Sequence, residues 1–335
     1  MKLLSVLLLA SGLALPAAAS EITLYSHRHY EADDALFDAF TKRSGVRVNV
    51  VKAGADELIE RLKAEGANTP ADVLITADAG RLVRAEKEGL LQPVESKTLA
   101  ARIPSALRDP EGHWFGFTKR ARVIVYAKDR VKPSELSTYE DLADNRWRGR
   151  ILVRSSANIY NQSLMASMIA EHGGQKAQEW ARAVRRNMAR PPQGSDRDQM
   201  RAVAAGLGDI AIANTYYLGL LVNSSEAADR AAAEKIAVFF PNQDGRGTHV
   251  NISGAGVTKA SDNREAAVQF LEFLASDEAQ AVFPTSTSEY PVATSVEWSD
   301  LQKQWGRFKE DSLNLSVLGE LNEEAVRTFN RAGWE

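Results

Sequence analysis

Strand-like and helix-like segments alternate along almost all of the 335 residues, and that alternation constrains the fold more than any other feature. Glu21-Ile-Thr-Leu-Tyr-Ser reads as a strand. Residues 33–44 place Leu36, Phe37 and Phe40 at helical spacing, and Gly45 stands where a left-handed cap would end that helix. Residues 46–51 read as a second strand. Residues 55–65 read as a helix with Leu58, Ile59 and Leu62 on one face, 71–76 as a third strand and 79–88 as a third helix. A βαβαβα opening implies a parallel sheet covered by helices on both faces.

Phe115-Gly-Phe-Thr-Lys-Arg-Ala-Arg-Val-Ile-Val-Tyr126 breaks the rhythm as one long extended run, read as a crossing between two lobes. A short helix at 139–144 and a strand at 151–154 follow. Helices are expected at 162–171, 175–187 and 196–205, and strands at 209–214 and 236–240. The glycine-punctuated run 249–258 is the candidate return crossing. The strongly periodic stretch 261–274 is a helix, with Ser261 and Asp262 as cap residues. From about residue 300 the chain reads as mostly helical. No repeat, low-complexity tract or Pro/Ser-rich linker interrupts the pattern. Two lobes without a linker imply that the chain passes between them more than once, which is hinge architecture. The expected division is 21–118 plus 255–300 for the first α/β lobe, 119–254 for the second, and 301–335 for C-terminal helices.

Residues 1–20 combine one lysine, a short apolar run and a small-residue end, the pattern of a cleaved secretory signal. The run is too short to span a bilayer. The mature chain of about 315 residues is at the size where one core becomes two. It keeps 40 basic and 44 acidic side chains, a mild and mixed charge that argues against nucleic-acid partners. There is no cysteine, so an exported chain of this kind is held by burial alone, without disulfides or a cysteine-linked lipid. The expected location is a bacterial periplasm.

The residues that carry chemistry are phenols. Tyr216 and Tyr217 end the apolar run that starts at Asp209, and Tyr160 follows the strand-like run from Ile151. A His29-Tyr30 pair follows the first strand. Taken singly, a tyrosine near a strand end is a half-buried core edge. Adjacent tyrosines converge on one point only where a strand has ended, since neighbours in a strand point to opposite faces. The carboxyl ends of parallel strands are also where open α/β sheets bind ligands. Several phenols and an imidazole suit a hard trivalent cation such as Fe(III). A free phenol loses its proton only near pH 10, so the metal charge must drive deprotonation. Four phenolates and a neutral imidazole leave one net negative charge on a ferric site. Arg120 and Arg122 are candidates to balance it, with surface salt bridging as the plainer reading. Of the other histidines, His113 and His172 read as loop and helix-end residues and His249 as the start of the second crossing, while His27 shares the turn with His29. There is no HExxH, zinc-cysteine, GxSxG or P-loop pattern, and Gly254-Ala-Gly256 is too bare to use. Nothing assembles a nucleophile with its base, so an enzyme has no support.

Leu24-Tyr-Ser-His-Arg-His-Tyr30, Ala71-Asp-Val-Leu-Ile-Thr-Ala-Asp78, Gly116-Phe-Thr-Lys-Arg-Ala-Arg-Val123, Tyr160-Asn-Gln-Ser-Leu and Ala213-Asn-Thr-Tyr-Tyr-Leu-Gly219 together resemble the periplasmic ferric-ion-binding proteins of bacterial iron ABC transporters, in their tyrosine-ligated subgroup. The resemblance runs over essentially the whole mature chain. It implies a two-lobed periplasmic-binding-protein type II α/β fold with two crossing strands as a hinge. It implies Tyr160, Tyr216 and Tyr217 as ligands from the second lobe, Tyr30 and His29 from the first, and Arg120 behind them neutralising the set. The implied cargo is Fe(III), the implied partners an inner-membrane ABC permease and its ATPase, and the implied state a monomer. Two other readings keep the fold: a carrier of a small organic or anionic solute, such as a polyamine, thiamine or a phosphonate, and an enzyme on the same scaffold. An aromatic cleft serves organic cations as well. Phenolate-to-iron colour separates the first reading from the others.

Overall fold

The computed structural model describes residues 20–28 and 30–334, apart from the side chain of Glu31. The expected signal segment up to residue 19, and His29, lie outside the described residues. Among the described residues, nine strands form a single mixed sheet. They are β1 (Glu21–Ser26), β2 (Arg47–Lys52), β3 (Val73–Ala77), β4 (Phe115–Ala127), β5 (Ile151–Leu152), β6 (Ile210–Asn214), β7 (Ile236–Phe239), β8 (Val250–Val257) and β9 (Tyr290–Pro291). The order is β2-β1-β3-β8-β4-β6-β5, with β7 and β9 also paired to β4.

The opening is the expected βαβαβα: β1 pairs in parallel with β2 and with β3. The helices Glu31–Ser44, Ala55–Glu65 and Ala79–Lys87 connect and follow them. Leu58, Ile59 and Leu62 are all buried, as their spacing requires, and Gly45 ends the first helix in the left-handed region at φ 75°. Beyond β3 the sheet stops being parallel. β8, which comes from far down the chain, inserts antiparallel between β3 and β4. The run itself is legible as extended, but where a distant strand inserts in the sheet leaves no local trace in sequence.

β4 and β8 are the two long connections. The first half of β4 pairs with β8 and β9, and the second half with β6 and β7. Where the halves meet, Arg122 N donates to His249 O at 2.9 Å. The hydroxyl of buried Tyr139 pins both points: it donates to the Arg122 carbonyl and accepts from His249 N at 3.1 Å. Burial, followed by Arg246 and Arg122, pushes the His249 imidazole down to about 3, so it is neutral at physiological pH. Gly254 and Gly256 have a structural explanation. A Cβ there would lie 2.5 Å from the Phe115 carbonyl oxygen and 2.3 Å from that of His113, so the close pass of β8 over β4 requires glycine.

Two local expectations are corrected. The helix expected from residue 261 is Arg264–Leu274, with Asn263 as its N-cap. The Ser261 hydroxyl is taken by Asp72 at 2.6 Å instead. Tyr160 does not end a strand. β5 stops at Leu152, and Asn158 caps the helix Ile159–His172 by accepting from Tyr160 N at 3.0 Å.

Two apolar cores lie on the faces of this sheet. The larger runs from Leu24, Leu74 and Phe270 to Leu164 and Trp180. The smaller, around Val123, Met200 and Leu221, lies under β4 and β6. The larger is continuous because the C-terminal helices Ser316–Glu320 and Asn322–Ala332 pack on Ala79–Lys87 at one end and on Ile159–His172 and Gly174–Asn187 at the other. At the tightest point a Cβ on Gly319 would fall 2.3 Å from Val83 Cβ. Gly319→Ala should therefore cost about 1–3 kcal/mol by overpacking, measured by urea unfolding. Pairing it with Val83→Ala should recover part of that loss.

Candidate metal centre

Tyr216 and Tyr217 occupy the first turn of the helix Thr215–Val222, which follows β6 directly. Successive helical residues normally diverge by about 100°. Here the two rings instead lie 4.1 Å apart between centroids, inclined by 33°. Tyr160 reaches the same point from the first turn of Ile159–His172, with its hydroxyl 3.5 Å from that of Tyr216. β5 and β6 are parallel neighbours, so both helices start at the same edge of the sheet. Their N-termini carry partial positive charge, which favours an anion such as phenolate in the first turn.

Tyr30 comes from the other side, as the N-cap residue of Glu31–Ser44 after β1. The Arg28 guanidinium lies 4.9 Å from its ring centroid. Burial raises its phenol well above the usual value, Glu289 adds to this, and Arg28 and Arg120 oppose it. Tyr216 is raised by burial and then by the charges of Tyr160, Tyr217 and Tyr30. Tyr217 is raised by burial and then by Tyr160 and Asp196. All four phenols thus share one electrostatic neighbourhood. In three of them the proton is held more tightly than in water, and only a strong local cation would remove it. His27, in the same turn as Tyr30, hydrogen-bonds through its backbone N to Ile75 O at 3.0 Å.

The surrounding cations are buried rather than spread on the surface, which decides against the plainer reading of Arg120 and Arg122. Arg120 lies 5.8 Å from the Tyr216 ring centroid. Its Nη2 donates to Glu289 Oε1 at 2.6 Å and to Ser253 Oγ at 2.5 Å. Arg28 donates to the other Glu289 oxygen at 2.7 Å and to Asp33 at 2.9 Å. Arg122 donates to Asp196 at 2.5 Å, Asn161 at 2.7 Å and Asn214 at 3.1 Å, with its guanidinium 5.9 Å from the Tyr160 ring centroid. Glu289, Arg28, Asp196 and Arg154 were not singled out from sequence. Arg28 and Glu289 are 261 positions apart, and no spacing rule connects them. The one available signal was Arg28 itself, a charge set between His27 and His29 at a strand end.

Among the described residues the groups that come together here are phenol oxygens, anionic once deprotonated, with paired cations around them. Such a set suits a hard, highly charged cation.

Comparison with known proteins agrees. Residues 35–310 match the model of the bacterial extracellular solute-binding proteins, and the chain belongs to that family. It is 51% identical over 320 residues to iron uptake protein A1 of Synechocystis sp., covering 96% of this chain and 89% of the relative. Among solved structures, Trichodesmium IdiA (FutA) in complex with iron and citrate ligands is 56% identical with a TM-score of 0.93, over 94% of this chain and all of that one. The ferric binding protein of Campylobacter jejuni is 44% identical with a TM-score of 0.89 over the same share of this chain and all of its own. The fold is the two-lobed type II periplasmic-binding-protein fold, with β4 and β8 as its crossing strands.

Glu289 offers a direct test of the buried cluster. Burial alone would raise its carboxyl, but Arg28 and Arg120 outweigh this and hold it down to about 2. A folded value below the ordinary 4.5 means the stabilisation is complete above about pH 4.5 and is lost as pH falls toward 2. Glu289→Gln should cost about 3–5 kcal/mol at pH 7. In denaturant melts, the gap to wild type should narrow steadily across that acid window.

Proposed function

We propose that this chain captures Fe(III) in the periplasm and delivers it to an inner-membrane ABC permease and its ATPase. The observation that carries the reading is the convergence of Tyr30, Tyr160, Tyr216 and Tyr217, from three separate segments, on one neighbourhood backed by buried arginines. The relatives named as iron uptake and ferric binding proteins support it.

In this reading, residues 1–20 are removed on export and the mature protein works as a monomer without catalytic activity. Residues 21–118 with 255–300 form the first lobe, residues 119–254 the second, and residues 301–335 pack across both. Tyr160, Tyr216 and Tyr217 take the ion first, since they sit together on two helix starts of the second lobe. Closure about β4 and β8 then adds Tyr30 and His29. Each phenol gives up its proton as it binds. Ferric iron is preferred over ferrous because anionic oxygens stabilise the higher charge more.

Two measurements test the reading. The protein loaded with Fe(III) should show a broad visible band from phenolate-to-iron charge transfer, and Tyr217→Phe should weaken or shift it. A colourless loaded protein, or a spectrum indifferent to that substitution, would overturn the assignment. Loading in weakly buffered solution at pH 7 should also release about four protons from the protein for each ion bound, because free phenols are protonated there. Affinity should therefore fall as pH falls.

A further inference from the structure

We infer that Arg154, through its fixed positive charge, offsets the residual negative charge of the loaded site and sets the balance between its ferric and ferrous forms. The inference rests on the ferric reading above.

The argument starts from which buried cations already have an anion. On the first-lobe side, Arg28 and Arg120 face Glu289 and Asp33, two cations with two carboxylates. Arg120, the residue first expected to neutralise the ligands, is therefore already matched. On the second-lobe side, Arg122 and Arg154 share one carboxylate, Asp196. Asp196 spends its short contacts on Arg122 at 2.5 Å and on Asn214 N at 2.9 Å, and meets Arg154 only at 3.5 Å. The unmatched positive charge sits at Arg154.

Its placement suits the role. The Arg154 guanidinium is 5.7 Å from the Tyr160 ring centroid, and its charge acts on Tyr217 as well. Its side chain is 18% exposed, and its Nε is buried with no hydrogen-bond partner among the described residues. The backbone is held in place because its carbonyl accepts from Asn161 Nδ2 at 2.9 Å and from Trp334 Nε1 at 3.4 Å. Among the described residues no hydrogen bond joins the Arg154 side chain to an expected ligand, so its charge acts on the metal through the phenolates.

The sign follows from counting charge. Four phenolates and a neutral imidazole leave one net negative charge around Fe(III) and two around Fe(II). A fixed cation stabilises both complexes, and the ferrous one more. Removing it should weaken ferric binding and also lower the Fe(III)/Fe(II) midpoint potential. A unit charge about 6 Å away, at an effective dielectric of about 20, is worth about a hundredfold in an equilibrium constant. Partial exposure reduces that.

The test uses the mature protein with Fe(III) and citrate as competitor at fixed pH. Arg154→Gln should bind Fe(III) roughly ten- to hundredfold more weakly and show a more negative midpoint. Arg154→Lys, which keeps the charge, should stay close to wild type in both. The apo forms should melt alike, which separates the charge effect from a folding defect. Wild-type affinity and midpoint in Arg154→Gln, or equal defects in the Gln and Lys variants, would overturn the inference while the visible band leaves the ferric reading intact. If wild type itself lacks that band, the ferric reading falls and this inference falls with it.

Discussion

Everything at this site depends on keeping opposite charges paired out of water. A buried ion left alone costs several kcal/mol, far more than a surface pair returns. Arg28, Arg120 and Arg122 are all nearly inaccessible, and so are Glu289, Asp33 and Asp196. Each persists because its partner is within hydrogen-bond reach. The partners come from distant segments: Arg120 and Glu289 are 169 positions apart, Arg122 and Asp196 are 74. The clusters exist only when the whole fold is assembled. The phenols are then set against a background of fixed, paired charge.

The sheet explains why the phenols meet. β5 and β6 run in parallel, so the helices that follow them begin at one edge. Placing tyrosines in the first turns of those helices aims three hydroxyls at a common point, where the partial positive charge of the helix ends also favours an anion. Tyr30 instead stands just before its helix, as the N-cap residue that follows β1. Arg28 holds the Tyr30 side through Glu289, which also holds Arg120 on β4. The turn that carries Tyr30 is thereby tied to β4.

The crossing itself is narrow and pinned. Tyr139 bridges Arg122 and His249, and the burial that keeps His249 neutral prevents charge repulsion from Arg122 and Arg246 at that point. The C-terminal helices pack on Ala79–Lys87 and on Ile159–His172 and Gly174–Asn187, with Gly319 against Val83. These packed helices connect the early and middle parts of the chain, as β4 and β8 also do.

Local periodicity was enough to read the opening βαβαβα, the long run that became β4 and the return strand β8. Each of those depends on residues a few positions apart, where spacing and side-chain type decide the outcome. The cap of the helix at Arg264–Leu274 was misread because the Ser261 hydroxyl bonds the distant Asp72, and the start of the helix carrying Tyr160 because the local N-cap signal of Asn158 was passed over. The insertion of β8 between β3 and β4, the Glu289 bridge and the unmatched Arg154 were out of reach of any such reading. They join groups that are neighbours only after folding, and Coulomb interactions and desolvation depend on distance through space. The chain order determined which donors were available, and packing in three dimensions decided which charges those donors would face.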